Sequence, residues 1–201
     1  LNMSGLVIGP DFRMGKNRDA DVSKLAKIGI NQGFEVQVVE QQKSDEFPIR
    51  STAIRNLLSQ GDVGSVSKML GRYFSTTGEV THGLKRGRDL GFPTCNLIPT
   101  EGMAIPKDGI YATLAYIGRQ QYMAATSIGT RPTFDEGGRT IESYVLDFDQ
   151  EIYGETIKLA FVKHIRDEKA FDTIKNLIIQ MNKDVEETRN ILNELTTTQG
   201  S

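Results

Sequence analysis

The stretch Gly78-Glu79-Val80-Thr81-His82-Gly83-Leu84-Lys85-Arg86-Gly87-Arg88-Asp89-Leu90-Gly91-Phe92-Pro93-Thr94-Cys95-Asn96 holds four glycines and three cations. Glycines let backbone N–H groups come close to an anion, and neighbouring Lys or Arg adds charge where phosphates would sit. A nucleotide phosphate loop fits this composition, and so does a glycine-rich hairpin loop with merely solvated charges. The P-loop pattern G-x-x-x-x-G-K-[ST] is absent, because Lys85 precedes Gly87 and Gly91 and no Ser or Thr follows it as that motif demands. A P-loop ATPase is thereby excluded. Thr94 and Asn96 are two apart, so in an extended chain their oxygens point to one side. A hydroxyl and an amide carbonyl there could complete the shell of a hard cation, Mg²⁺ being the natural one if ATP supplies further oxygens. A Thr-x-Asn that only hydrogen-bonds a turn is the competing reading.

The run Ile141-Glu142-Ser143-Tyr144-Val145-Leu146-Asp147-Phe148 alternates as a strand, with Glu142 on one face beside Tyr144, Leu146 and Phe148. A carboxylate on an apolar face needs a partner or a task, since burying it unpaired is costly. Glu142 is therefore the candidate general base, able to accept a hydroxyl proton during phosphoryl transfer. An ion pair with Arg131 or Arg139 is the alternative, and Asp147 falls on the opposite, solvated face. Gly129-Thr130-Arg131-Pro132-Thr133-Phe134 offers one cation and one aromatic, and Phe134 either stacks on a planar ligand or caps the core. His82 and His164 have no Ser or Cys nucleophile context and make no triad; Cys95 reads as a small packing residue. Near the N-terminus, Gly9 to Lys16 is a basic turn, and Ser51-Thr52 with Arg55 either holds a phosphate or caps a helix beside a solvated Arg.

The elements that must position these residues divide the chain near Leu70-Gly71. In the first part, an apolar run from Gly5 to Gly9, a helical spacing of Val22, Leu25, Ala26 and Ile30, and an alternating Phe34 to Val39 give strand, helix, strand. That succession is a parallel α/β unit. A helix opened by Ser51 with Ile54, Leu57 and Leu58 on one face stops at Gly61, and a short one follows from Asp62 to Leu70. From Tyr73 to about Ile165 strands alternate with Gly and Pro turns, clearest at 109–118, 121–128, 139–148 and 156–162. A small antiparallel barrel of five or six strands results, with a two-sheet sandwich left open by spacing alone. Beyond Asp167 two apolar stripes, Phe171-Ile174-Leu177-Ile178-Met181 and Val185-Thr188-Ile191-Leu192-Leu195, predict core-facing helices.

Composition bounds the function. Two hundred and one residues allow one domain or two small ones, and 24 Lys and Arg against 26 Asp and Glu leave no global positive field for nucleic acid or anionic membrane. One Cys and two His can form neither an internal disulfide nor a Cys/His metal cluster, which fits a reducing, cytoplasmic setting. No apolar run reaches the ~18 residues of a membrane span.

In this order the motifs resemble the prokaryotic bifunctional riboflavin kinase and FMN adenylyltransferase family over nearly the whole chain. Gly78 to Asn96 is similar to the kinase signature, a glycine-rich ATP loop running into Pro-Thr-Ala-Asn, with Cys95 at the Ala position. Gly129 to Phe134 looks like the family's Gly-x-Arg-Pro-Thr-Phe loop, and Ile141-Glu142 matches the strand with its catalytic Glu. Tyr153-Gly154 and Ile165-Arg166-Asp167-Glu168 with Phe171 look like its closing flavin-side elements. The resemblance implies an α+β chain: a six-stranded antiparallel Greek-key barrel with C-terminal helices over 71–201, after a partial α/β nucleotidyltransferase segment over 1–70. It further implies phosphorylation of riboflavin to FMN. ATP would lie on Gly83, Lys85, Arg88, Gly91, Pro93, Thr94 and Asn96, with Mg²⁺ on Thr94 and Asn96. Riboflavin would meet Arg131, Phe134, Arg166, Glu168 and Phe171, and Glu142 would be the catalytic base.

Asp11 to Lys16 and Ile49-Arg50-Ser51-Thr52-Ala53-Ile54-Arg55 resemble only the back half of the adenylyltransferase part, with Arg50 at a Ser position. No His-x-Gly-His motif stands in the sequence, and the chain begins with Leu1, so it reads as the tail of a longer product and is not expected to make FAD. A fragment of a bifunctional enzyme and a non-catalytic flavin-binding module remain as alternatives, and oligomeric state is left open.

Overall fold

A computed structural model describes residues 3–40, 49–82, 87, 90–100, 102–130 and 139–198. Two compact units divide between Ile49 and Arg50. In the first, strand β1 (Gly5–Ile8) pairs in parallel with β2 (Glu35–Val38), and helix α1 (Val22–Gln32) makes the crossover that parallel pairing requires. The Asp21 carboxylate accepts from Lys24 N at 2.9 Å to start α1, and Gly33 closes it in the left-handed region. Ile30, expected on the packed face of α1, is 82% exposed.

The second unit is a closed barrel of β3 (Phe74–Thr81), β4 (Thr94–Pro99), β5 (Gly109–Ile117), β6 (Gln120–Thr130), β7 (Arg139–Val145) and β8 (Thr156–Arg166). Around it the order is β3-β4-β7-β6-β5-β8, all antiparallel. The meander β5-β6-β7 with β8 returning beside β5 is a Greek key, and closure removes the two-sheet alternative. Inward side chains such as Val80, Leu97, Tyr111, Ile128, Ile141 and Phe161 form the core. Within it Thr113 Oγ1 lies 2.7 Å from Thr126 Oγ1, which lies 2.9 Å from Ser143 Oγ, so the hydroxyls satisfy one another.

Helices α2 (Ser51–Gln60) and α3 (Val63–Leu70) belong to this unit, because Leu58, Val63 and Val66 are buried in the barrel's core. The compact units therefore part before α2, whereas the change of sequence pattern comes at Leu70-Gly71. The cap position of α2 falls on Arg50, which makes no capping bond, so Ser51 is the first helical residue instead of the cap. Asp62 caps α3 through Ser65 N at 2.9 Å. Apart from Phe171, which precedes it, the two C-terminal stripes lie on one continuous helix, α4 (Ile174–Thr198), in place of the plural helices expected. Ile174, read as core-facing, is 66% exposed.

Candidate functional site

Strand register brings the polar candidates together. On β4 and β7, Thr94 stands opposite Tyr144 and Asn96 opposite Glu142; on the other side of β7, Ser127 of β6 faces Glu142. Ile141, Ser143 and Val145 are buried inside, so Thr94, Asn96, Glu142 and Tyr144 share the barrel's outer face. Glu142 and Tyr144 are neighbours on one face as expected. Leu146 and Phe148 are not, because β7 ends at Val145 and the chain turns at Asp147, whose φ is 57°. Asp147 is exposed and accepts from both terminal nitrogens of Arg189 on α4, at 2.7 Å each, which holds its carboxyl below the usual range.

A cavity of about 310 Å³ opens between this face and α4, and Thr94, Glu142, Tyr144, Arg166, Glu168 and Phe171 line it. Phe92 joins them, edge-on to Tyr144 with ring centres 5.4 Å apart. A second cavity of about 320 Å³ is lined by Pro93, Thr94, Cys95, Ser143, Gln150 and Tyr153. Thr94 is common to both, and Asn96 is in neither lining. Tyr153, grouped in the sequence with the elements around Phe171, instead stacks on His82 at 3.8 Å and lines this second cavity.

The glycine-rich approach to Thr94 is needed sterically. A Cβ on Gly87 would lie 2.4 Å from the Phe92 carbonyl oxygen and 3.3 Å from Thr94 Oγ1, and Gly91 has φ +85°. Gly83, Lys85, Arg88, Arg131 and Phe134 lie outside the described residues. Gly91 and Pro93 are exposed, and Thr94 and Asn96 are half-buried.

Arg139, one proposed partner for Glu142, is engaged elsewhere: its Nε donates to Asp108 Oδ1 at 2.7 Å and its Nη1 to the Ile105 carbonyl at 3.3 Å. Arg166 at the end of β8 donates to Asp184 of α4, Nε to Oδ1 at 2.8 Å and Nη2 to Oδ2 at 2.6 Å. Partial desolvation and the Asp108 carboxylate hold Glu168 above the usual carboxylate range, Arg166 and Arg139 opposing and Glu142 adding to the rise. The Cys95 thiol, donating to the Ser143 carbonyl at 3.3 Å, is pushed up to about 11 by burial and is no nucleophile at neutral pH. Among the described residues no group of three His, Cys, Asp or Glu could hold a metal ion.

Sequence reading missed Phe92, Tyr144 and Asp184 as site residues. Asp184 carried a usable signal: it falls between Met181 and Thr188 on the packed side of α4, the same carboxylate-among-apolar anomaly that marks Glu142.

The riboflavin kinase family model matches residues 70–192, and the FAD synthetase family model matches residues 1–53. A bifunctional riboflavin kinase/FMN adenylyltransferase of Listeria monocytogenes is 37% identical over 190 residues, covering 94% of this chain and 60% of the relative. The Bacillus subtilis and Escherichia coli K12 proteins of the same name are 36% and 32% identical, covering 93% and 92% of this chain. The chain thus spans about 60% of the length of these curated relatives. The crystal structure of a Streptococcus pneumoniae protein described as a macrolide-efflux protein superposes with TM-score 0.77 at 35% identity, covering 91% of this chain and 60% of that one. Among the described residues no helix is long and apolar enough to cross a membrane.

Proposed function

The chain belongs to the riboflavin kinase family, and from that premise we propose that it transfers the γ-phosphate of ATP to the 5′-hydroxyl of riboflavin, giving FMN and ADP in the cytoplasm. The observation that carries the reading is Thr94, which lines both cavities, with Glu142 in only one of them. A flavin in the cavity walled by Phe92, Tyr144 and Phe171 and a nucleotide in the one walled by Gln150 and Tyr153 meet at that residue. Both cavities have the size and the mainly apolar walls with a few polar groups that small-molecule sites require.

Glu142 takes the hydroxyl proton as the flavin oxygen attacks the γ-phosphorus, and the bond from that phosphorus to the bridging oxygen breaks to leave ADP. Tyr144 and Phe92 hold the acceptor's ring against the barrel, while α4 covers the cavity and limits water. The glycine-rich loop, with Lys85 and Arg88, supplies positive charge and backbone donors to the phosphates. The Thr94 hydroxyl and Asn96 carbonyl are hard oxygen donors on one face of β4, across from the Glu142 carboxylate, and this set suits magnesium. Thr94 and Asn96 would hold Mg²⁺, whose charge offsets that of the triphosphate. Arg131, Phe134, Glu168 and Phe171 contribute to the flavin side. In-line positioning and charge neutralisation are most of what phosphoryl transfer needs.

Chromatography of the purified chain with riboflavin and Mg-ATP, separating riboflavin, FMN and FAD, tests the reading. FMN without FAD is expected. FAD would mean that residues 1–49 still take part in adenylyl transfer, and tight flavin binding with no product would replace the kinase by a binding module. Replacing Thr94 and Asn96 together should raise the magnesium requirement, and an unchanged titration would remove them as ligands.

A further inference from the structure

Besides Glu142, the first cavity is walled by chain with no regular structure. Between Arg166, where β8 ends, and Ile174, where α4 begins, this segment contributes Glu168, Lys169 and Phe171 to the lining. With no ladder or helix to hold it, its course depends on side-chain bonds. One is superficial: Lys107 Nζ donates to the two Asp167 oxygens at 2.7 and 2.9 Å, with side chains 41% and 61% exposed. Pairs of that kind contribute little.

Another is buried. Arg166 and Asp184 form the two-bond fork described above with side chains only 14% and 7% exposed. Gln180 Nε2 donates to Asp184 Oδ1 at 2.9 Å, the Thr188 hydroxyl donates to the Asp184 carbonyl at 2.7 Å, and Arg166 Nη1 donates to the Asp167 carbonyl at 2.9 Å. Every guanidinium nitrogen of Arg166 therefore already donates within the protein. Both residues line the cavity, and the guanidinium carbon lies 6.0 Å from the centre of the Phe171 ring.

A buried ion pair is a poor way to gain stability, because aliphatic side chains of similar volume would join helix to barrel at no desolvation cost. What a planar fork adds is a fixed distance and angle. Resting on the riboflavin kinase reading of this cavity, we infer that Asp184 is a positioning residue for the acceptor. By clamping Arg166 it aims the 167–173 segment, and with it Phe171 and Glu168, so that a flavin bound there presents its hydroxyl to Glu142. Arg166 acts as the strut between α4 and this wall.

The test compares wild type with D184N, R166K and the double variant R166M/D184L, each assayed well below its own unfolding midpoint. The readouts are KM for riboflavin, KM for ATP, and riboflavin affinity from quenching of flavin fluorescence. D184N and the double variant should weaken riboflavin binding and raise its KM by about tenfold or more with ATP KM within about twofold, since small misplacements are costly to aligned reactants. R166K, which keeps the charge and loses the fork, should fall between. The double variant leaves no unpaired buried charge, so it decides the matter if D184N does not fold. Wild-type riboflavin affinity in R166M/D184L, or KM for both substrates rising together, would overturn the inference. A wild-type chain that neither binds nor phosphorylates riboflavin would instead overturn the reading of the site, and this inference with it.

Discussion

In the N-terminal unit, residues of the same types that fill the barrel's core face solvent: Val7, Ile30 and Val39 are 64%, 82% and 50% exposed, against 1%, 0% and 5% for Val80, Ile141 and Val145. Among its described residues the buried hydrophobics are Ile8 and Leu25, whereas the second unit closes a continuous core reaching from α2 and α3 through all six strands. Local sequence is equally well formed in both, with capped helices and β-rich strands. The difference is partners, since a two-stranded sheet with one helix covers few of its apolar positions, while a closed barrel has an inside. Stability and the candidate chemistry should therefore both concentrate in the second unit.

The strongest test of that contrast is catalytic. Glu142→Gln should lower kcat by roughly 10²–10⁴-fold, the usual contribution of a general base, with riboflavin and ATP affinities retained. Ile30→Ser should leave kcat as it is. Steady-state kinetics on the two variants would break the contrast if Glu142→Gln turned over normally or Ile30→Ser did not.

Next comes stability at the join. Leu58 is 2% exposed within the barrel's core although its helix precedes the barrel in sequence. Leu58→Ala should cost ~2–5 kcal/mol in urea unfolding. A chain starting at Arg50 should unfold as cooperatively as the full one, and a chain starting at Tyr73 should lose much of that stability. Equal stability of the two would return the join to Leu70-Gly71.

A smaller effect is expected with pH. Burial holds His164 below the ordinary imidazole value of 6.5, with Asp167 opposing and Lys107 adding to the drop. The folded chain thus takes up this proton less readily than the unfolded one. Its contribution is complete above pH ~6.5 and is lost as pH falls through that value toward the folded one. Asp62, Asp147 and Asp167 are held low by Ser65, Arg189 and Lys107, so their contributions are lost only as pH falls below about 4. Thermal midpoints at pH 7, 6 and 5 should fall for wild type and fall less steeply for His164→Gln. The same slope in both would assign the pH dependence elsewhere. Smallest of all, Ile30→Ser should shift unfolding by no more than ~0.5 kcal/mol, as exposed positions do.

Much of this was legible because it is local. The break between α2 and α3 follows from Gly61 and Asp62, whose left-handed backbone and capping bond involve only neighbours. Glu142 was singled out because alternation set a carboxylate beside Tyr144, Leu146 and Phe148 in the sequence, although Leu146 and Phe148 leave that face and Asn96 and Ser127 stand across from Glu142 in the barrel. Asp184 carries the same kind of signal and was passed over, since a helical stripe reads as packing until its partner, Arg166, is seen across the cavity. The burial of α2 and α3 in the barrel was hidden for a related reason: periodicity marks an apolar face and not what covers it.

The amino-acid sequence by itself determined the type and limits of most elements, the glycine approach to Thr94, and the placing of Thr94 and Asn96 on one side of a strand. Those depend on backbone sterics and on the periods of strand and helix. The tertiary structure alone decided that Asn96 faces Glu142, that Thr94 is shared by two cavities, and that Arg166 is committed to Asp184. Each of these joins residues distant in the chain, and such pairings are selected by barrel closure and by burial of the whole core, against loop-closure entropy, not by any local preference.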